Sequence, residues 1–222
     1  MTPFPSVARA GLAVDPAGGH AYAVAANAPI ADVDLATLDV SYHTIEQSAS
    51  LLGRLRDWLE PRAEAKESRV SSARSALWLG HGRLAVFGHD GTGLSTNRGL
   101  EVRTRPSGLT VIDTRLWISQ TIDSRSAWAI VARDALLSTG ATWDSGKLVG
   151  SGLRVYGRDG AERLHLFGKR LIGPVEVFGA RAFVHRSAPE SEYQIVNLTT
   201  GRILRTIHRD LPMILRGAGS AY

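Results

Sequence analysis

One pattern is written four times along the chain, and it restricts the fold more than any other feature. An apolar residue that ends one β-run is followed by a short turn and by a second apolar run, as in VDLATLDV at 33–40 and VNLTTGRI at 196–203. The residues that precede the four turns are Val33, Ile112, Val155 and Val196. They lie 79, 43 and 41 residues apart. Two of these separations equal the length of one β-propeller blade.

The rest of the chain has the composition of an all-β protein. Short runs rich in Val, Ile, Leu, Tyr and Phe alternate with Gly, Pro, Asp and Asn. We therefore predict a single β-propeller domain or fragment spanning 1–222, with about four four-stranded antiparallel blades. The predicted blades are about 7–45, 70–123, 124–168 and 169–208. A single blade cannot bury both of its faces, so blades must stack on one another.

Two segments fall outside this repeat. The stretch at about 48–67 is predicted to carry an inserted amphipathic helix, because its large apolar residues share one helical face and Pro61 discourages continuation. These apolar residues are Leu51, Leu52, Leu55, Trp58 and Leu59. Residues 209–222 form a C-terminal tail. The insertion, together with a Gly/Thr/Ser-rich loop predicted at 88–99, accounts for the long first separation.

Composition excludes several classes of function. The chain has no cysteine, which rules out disulfides, thiol catalysis and Cys-ligated zinc. Its net charge of +5 comes from singly scattered arginines and not from a clustered basic patch, which argues against nucleic-acid binding. No uninterrupted apolar run reaches the roughly 18 residues that a membrane span needs. The start, MTPFPSVARAG, lacks the pattern of a signal peptide.

The repeat resembles YVTN-type β-propellers, which are themselves similar to the heavy chain of quinoprotein amine dehydrogenases. The matching residues in the first copy are Val14, Asp15, Pro16, Ala21, Tyr22, Ala23, Val24, Val33, Asp34, Leu35 and Thr37. Those in the last copy are Val196, Asn197, Leu198, Thr200 and Gly201. The resemblance implies a propeller fold and export to the periplasm or the cell exterior. It also implies rings of six to eight blades, so this chain would be a fragment, an arc completed by a partner chain or second copy, or a small ring.

Each motif that suggests chemistry has a stronger structural explanation. The loop GHDGTGLSTN at 88–97 resembles a phosphate-binding loop, but no helix follows it. Asp144-Ser145-Gly146 is half of an aspartic-protease motif without its second carboxylate. The seven histidines show no metal-ligand spacing. The five tryptophans are expected to pack between blades, although Trp143 offers a surface pocket. We therefore assign no catalytic, cofactor-binding or metal-binding residue.

These observations favour a non-enzymatic interaction, scaffold or ligand-binding module that recognises a protein or surface ligand through loops at one rim, with no cofactor. The alternative is a propeller enzyme, lactonase-like or quinoprotein dehydrogenase-like, with a site at the axis. Asp34 and Asn197 occupy the same place in two repeats. We expect them to fix turns, and we do not assign them to catalysis.

Overall fold

Seventeen β-strands, numbered β1 to β17, make up the regular structure in the residues that the computed structural model describes. The described residues are 11–26, 28–45, 72–96, 99–132, 135–144, 147–186 and 192–208. They divide between two units, Met1–Ala127 (unit 1) and Trp128–Tyr222 (unit 2). Each unit contains two antiparallel sheets, so the all-β class and the count of four sheets are confirmed.

Unit 1 contains the first and second sheets. The strands of the first sheet, in spatial order, are β1 (Gly11–Asp15), β2 (His20–Val24), β3 (Ile30–Asp34) and β4 (Val40–His43). Those of the second are β5 (Ala73–Gly80), β6 (Arg83–Thr96), β8 (Leu109–Asp113) and β9 (Ile118–Asp123). A fifth strand of the second sheet, β7 (Gly99–Pro106), pairs with the far half of β6.

Unit 2 repeats the same meander twice. The third sheet consists of β10 (Trp128–Ala132), β11 (Ala135–Asp144), β12 (Lys147–Gly157) and β13 (Glu162–Leu166). The fourth consists of β14 (Ile172–Phe178), β15 (Arg181–Arg186), β16 (Glu192–Asn197) and β17 (Ile203–Ile207). The sequence repeat therefore reports a real structural repeat, since its reference residues lie on the third strand of each meander.

The turn after the third strand is built in the same way in three of the four sheets. The side-chain Oδ1 of Asp34, Asp113 or Asn197 accepts hydrogen bonds from the backbone N–H groups two and three residues later. These distances are 2.8 and 3.0 Å for Asp34, 2.9 and 3.1 Å for Asp113, and 2.9 and 3.0 Å for Asn197. This arrangement closes a tight turn at low cost. The expected structural role of Asp34 and Asn197 is thus observed directly.

The residue four positions after each Asp or Asn has a left-handed backbone. Its φ is 64° at Leu38, 55° at Trp117 and 71° at Gly201. Only glycine adopts this conformation without steric cost, so the two non-glycine turns carry strain that Gly201 avoids. The third sheet departs from the pattern. Tyr156 stands in the place of the Asp or Asn, and Gly157 N–H donates to Ala161 O at 2.9 Å.

The predicted loop at 88–97 is wrong over most of its length. β6 runs straight through it to Thr96 and pairs residue for residue with β7, from His89 opposite Pro106 to Thr96 opposite Gly99. Glycine is depleted in strands, but here the next strand of the chain pairs with this segment as a hairpin. The predicted helical insertion at 48–67 and the tail at 209–222 lie outside the described residues.

Each unit has its own hydrophobic core between its two sheets. In unit 2 the core consists of fully buried aliphatic side chains, with Leu137, Leu153, Val184 and Val196 all at 0% exposure. In unit 1 the core includes Tyr22, Leu84 and Ile112, with Trp78 and Trp117 packed against it. The prediction that tryptophans pack between sheets is confirmed for these two and for Trp128 in unit 2.

Candidate functional site

A stack of aromatic rings fills one part of the space between the two sheets of unit 1. Tyr22 on β2 is buried, and its ring lies 5.4 Å from Trp78 on β5 and 6.3 Å from Trp117. Trp117 also stacks face to face on His43 of β4, with centroids 3.5 Å apart and planes 5° from parallel. These contacts hold Trp117 in its left-handed conformation and join the first sheet to the second.

A cavity of about 470 Å³ opens between the same two sheets. We call it the unit-1 cavity. In the first sheet, its described lining residues lie between the end of β2 and the start of β3 and at the end of β4. In the second sheet they lie on β5, β6 and β8 and just before β8. Together they are Val24, Ala25, Ala28, Pro29, Ile30, His43, Thr44, Ile45, Arg74, Val86, Ser107, Gly108, Thr110 and Ile112. This volume falls in the range of small-molecule sites.

The apolar part of the lining comes from branched side chains on three strands and the start of a fourth. Val24 and Ile30 belong to the first sheet, and Val86 and Ile112 to the second. Val24, Ile30 and Ile112 are buried members of the unit-1 core. At the mouth, Ala25, Ala28, Pro29 and Thr44 are exposed. The cavity therefore has an aliphatic floor beneath a rim of small residues.

Two buried polar atoms in the lining have no hydrogen-bond partner among the described residues. They are Nε2 of His43 and Oγ of Ser107. A buried polar atom that lacks a partner costs roughly 1 to 3 kcal/mol, and such atoms are uncommon in folded proteins. Thr110, by contrast, shares a hydrogen bond of 3.0 Å with Thr121. His43 Nε2 and Ser107 Oγ are therefore unsatisfied groups that are buried within the wall of the unit-1 cavity.

Arg74 is a lining residue whose guanidinium is bonded to neighbouring groups of the second sheet. Its Nη1 donates to the carbonyls of Ala73 at 3.1 Å and His89 at 3.0 Å, and its Nη2 donates to Asp90 Oδ1 at 2.7 Å. Asp90 is shared, because Arg105 Nε lies 3.7 Å from its other oxygen. Two arginines therefore face one carboxylate. None of the described lining residues is Asp or Glu.

Other titratable groups of unit 1 have shifted pKa values for structural reasons. The hydrogen bond with Asp32, at 2.8 Å, raises the pKa of His20 above its ordinary value. Burial raises the pKa of Tyr22. The backbone N–H groups of Thr37 and Ala36 lower the pKa of Asp34, as expected for a carboxylate that closes a turn. None of these three residues lines the unit-1 cavity.

Unit 2 has a polar cluster that is satisfied mainly from within. Glu192, which is 7% exposed, pairs with Arg186, and its Oε1 accepts from Gln194 Nε2 at 2.8 Å. His208 Nδ1 lies 3.4 Å from the other carboxylate oxygen. In the described part of the chain, no group of three or more His, Asp and Glu residues is arranged to hold a metal ion.

The motifs singled out in the sequence do not meet at this site. Trp143 is 52% exposed on β11 and is not a lining residue of the unit-1 cavity. The Asp144 position pairs with Lys147 in a hairpin of unit 2. The phosphate-loop candidate is the β6–β7 hairpin, and Trp58 lies outside the described residues. Sequence reasoning missed the cavity, although the small residues at 25, 28 and 107–108 mark strand ends that cannot fill the space between sheets.

Comparison of the sequence with known families and curated proteins finds no relative. No family model matches the chain, and no curated protein matches its sequence. Among the described residues, no helix has the length and apolarity to cross a membrane.

Solved structures do match the chain. The dihydro-heme d1 dehydrogenase NirN, solved in complex with DHE, matches 88% of the chain at 12% identity with a TM-score of 0.51. AztD of Citrobacter koseri matches 94% at 10% identity and TM-score 0.36. BamB of Moraxella catarrhalis matches 90% at 12% identity and TM-score 0.28. The chain spans only 36% of the NirN chain and 60% of the AztD chain. The four antiparallel meanders and the likeness to NirN identify a protein of the β-propeller fold class.

Proposed function

We propose that this chain is a non-enzymatic β-propeller module that binds a small molecule in the unit-1 cavity. The observation that carries the proposal is a cavity of about 470 Å³ between the two sheets of unit 1, with branched apolar side chains of both sheets in its lining. An apolar floor supplies affinity by removing hydrocarbon surface from water, and a few polar groups fix orientation.

In this proposal the four sheets are blades of one propeller domain, or of part of one, with YVTN-type repeats. The turns at Asp34 and Asn197 support the repeat type, because the Asp or Asn of the motif closes the turn in both places. The chain's modest share of NirN's length is consistent with a piece of a larger assembly. A protein partner that binds the rim beside the cavity fits the same architecture.

The chemistry of the lining favours binding over catalysis. Among the described lining residues there is no carboxylate, and the one histidine, His43, is stacked on Trp117. General acid–base catalysis needs a group positioned to exchange protons with a substrate, usually oriented by a second polar group. His43 Nε2 has no such orienting partner among the described residues.

The test is a fragment screen read by methyl NMR. The methyl groups of Val24, Ile30, Val86 and Ile112 report on the cavity, and those of Val155, Val175 and Val184 in unit 2 serve as internal controls. We expect compact cyclic and branched fragments to shift the cavity methyls saturably and to leave the unit-2 methyls unchanged. A screen in which no fragment shifts the cavity methyls would reject the proposal.

A matched pair of variants tests the location. Val86→Phe fills the cavity from β6, whereas Val131→Phe adds the same ring at a half-exposed position on β10 of unit 2. We expect Val86→Phe to abolish fragment binding and Val131→Phe to preserve it. Equal binding by both variants would place the fragments elsewhere on the protein.

A further inference from the structure

One face of the first sheet is apolar in two successive rows of cross-strand neighbours, which we call the first-sheet outer face. One row is Val14, Ala21, Val33 and Val40. The other is Leu12, Ala23, Ala31 and Tyr42. The four residues on the edge strands β1 and β4 are exposed, and the four on the central strands β2 and β3 are half-buried. Small side chains at the centre thus lie between larger ones at the two edges.

The sequence repeat shows what kind of surface fits the first-sheet outer face. Val33 corresponds to Ile112 of the second sheet and to Val196 of the fourth. Ile112 is 1% exposed and faces the first sheet in the unit-1 core. Val196 and its cross-strand partner Ala182 are 0% exposed and face the third sheet in the unit-2 core. In both units, therefore, the equivalent face of the later sheet packs onto the sheet before it.

The fourth sheet has a face of the opposite kind. Counted from the repeat residue, Phe183 of the fourth sheet occupies the register position of Tyr22 in the first. Tyr22 is 3% exposed and stacks on Trp78 of the next sheet, whereas Phe183 and its cross-strand partner Ile195 are half-buried. We call the row that contains them the fourth-sheet outer face. The row is completed on the edge strands by Glu176 and Arg205.

We propose that two copies of this chain associate, with the fourth-sheet outer face of each copy packed on the first-sheet outer face of the other. Shape supports this contact, because Phe183 and Ile195 place bulk on the central strands of one face. The alanines at 21, 23 and 31 leave room on the central strands of the other. The two charged residues of the fourth-sheet row lie on edge strands, which matches the apolar centre and polar rim of protein interfaces.

The number of sheets and the area of the faces favour two copies. Each chain contributes four sheets, so two chains supply eight, at the upper end of the roughly four to eight blades of propellers. A head-to-tail contact that is made twice closes on itself. A face four strands wide and five residues long measures about 19 by 17 Å. Each copy contributes two faces, which brings the contact close to the roughly 800 Å² per partner of specific interfaces.

The first test is the mass of the full chain in solution, measured by sedimentation equilibrium over a dilution series. We expect a species of twice the chain mass that dissociates on dilution, with or without a ligand in the unit-1 cavity. A single-chain mass at the highest soluble concentration would overturn the inference, and it would leave the proposed binding function standing.

A matched pair of variants tests the first-sheet outer face. Leu12 lies on this face and is 69% exposed, and Leu116 lies in the turn between β8 and β9 and is 68% exposed. We expect Leu12→Arg to raise the dimer dissociation constant about a hundredfold, because the arginine would be buried against hydrocarbon without a partner. Leu116→Arg should leave it unchanged. Tyr42→Arg, at 70% exposure, provides a second route if Leu12→Arg fails to fold. A dimer that survives both face substitutions would overturn the inference.

A mixing experiment tests whether the two faces bind each other. Phe183→Arg on the fourth sheet should also give single chains, and Phe178→Arg, 55% exposed on the same side of that sheet, replaces it if Phe183→Arg does not fold. A mixture of Leu12→Arg with the fourth-sheet variant has one intact contact, so we expect partial recovery of the dimer. Dimers of the fourth-sheet variant alone would mean that first-sheet faces pair with each other, and a mixture that stays dissociated would mean that the two faces are not partners. Either result would overturn the inference.

Discussion

The two units enclose different spaces between sheets of the same design. In unit 2 the space is filled by aliphatic side chains, and Leu137, Leu153 and Val184 have no exposed surface. In unit 1 the stacked rings of Tyr22 and Trp78 occupy one part of the space and a cavity of about 470 Å³ occupies another. The same meander can therefore give a filled core or a core with a cavity, and the difference lies in the residues that face the space between the sheets.

Side-chain size explains the difference. Small residues near the strand ends of unit 1, Ala25, Ala28 and Gly108, line the cavity and fill less of the space than the branched side chains that face each other in unit 2. Protein interiors otherwise pack as densely as organic crystals. A cavity of this size is thus a local feature of unit 1 that the repeat itself does not require.

The largest change in the free energy of unfolding is expected when a side chain in the filled core of unit 2 is truncated. Leu137→Ala, in unit 2, should lower the free energy of unfolding by about 3 to 5 kcal/mol, because the cavity left behind is fully enclosed. Ile112→Ala, in the wall of the existing cavity in unit 1, should cost less, about 2 to 3 kcal/mol, since water can enter the vacated space from that cavity. Denaturant unfolding, followed by amide exchange in each unit, measures both. An equal or greater loss for Ile112→Ala would contradict the comparison.

Added volume should have opposite consequences in the two units. Val86→Ile places one more methylene against the unit-1 cavity and should be neutral or stabilising by up to about 0.8 kcal/mol. Val184→Ile adds the same group where exposure is 0% and should destabilise by about 1 to 3 kcal/mol. Thermal unfolding of the two variants gives the comparison directly. If Val86→Ile is the more destabilising of the two, the space in unit 1 is not available to a side chain.

The repeat was the part of this molecule that the sequence predicted well. Val33, Ile112, Val155 and Val196 all lie on the third strand of a meander. In three of the four repeats an Asp or Asn follows, and its turn chemistry is local and can be recognised without knowing the tertiary contacts. The β6–β7 hairpin was missed although it also joins consecutive strands, because its glycines are more typical of loops than of strands. Gly91 and Gly93 suggest a loop until their pairing with Thr104 and Val102 is known.

The unit-1 cavity could not be predicted from single strands. Arg74, Ser107 and His43 are far apart in the sequence and carry no motif. They meet only because the first and second sheets pack face to face, with Tyr22 against Trp78. The absence of acidic residues from the described lining is likewise a property of the assembled faces. The proposed binding site therefore depends on which sheet faces meet, and the local sequence pattern does not contain that information.

A smaller effect is expected at the repeated turn. Leu38 in unit 1 has φ of 64°, and the equivalent residue in unit 2 is Gly201, at 71°. Leu38→Gly should stabilise the turn by about 1 kcal/mol, because an L-residue pays roughly that cost in the left-handed region. Gly201→Leu should destabilise by a similar amount. Exchange rates of the amides that flank each turn report the change, and an unchanged rate in Leu38→Gly would show that the turn is not strained.

The smallest expected effect is a difference in acid sensitivity between the same two turns. Backbone N–H groups lower the pKa of Asp34 in the folded state. Its contribution to stability is therefore present above the unfolded pKa, near 4, and is lost as the pH falls through the lower folded value. Asn197 makes the same hydrogen bonds without a titrating group. Asp34→Asn should make the first-sheet turn insensitive to pH between 5 and 2.

The reciprocal exchange completes this test. Asn197→Asp should give the fourth-sheet turn in unit 2 the acid sensitivity that Asp34→Asn removes from unit 1. Amide exchange of the residues after each turn, measured at several pH values and corrected for intrinsic rates, separates the two sites. If Asp34→Asn leaves the acid response of the first turn unchanged, the N–H groups of Ala36 and Thr37 do not favour the charged carboxylate. The two turns would then be equivalent in electrostatics as well as in shape, and the strain at Leu38 would be their remaining difference.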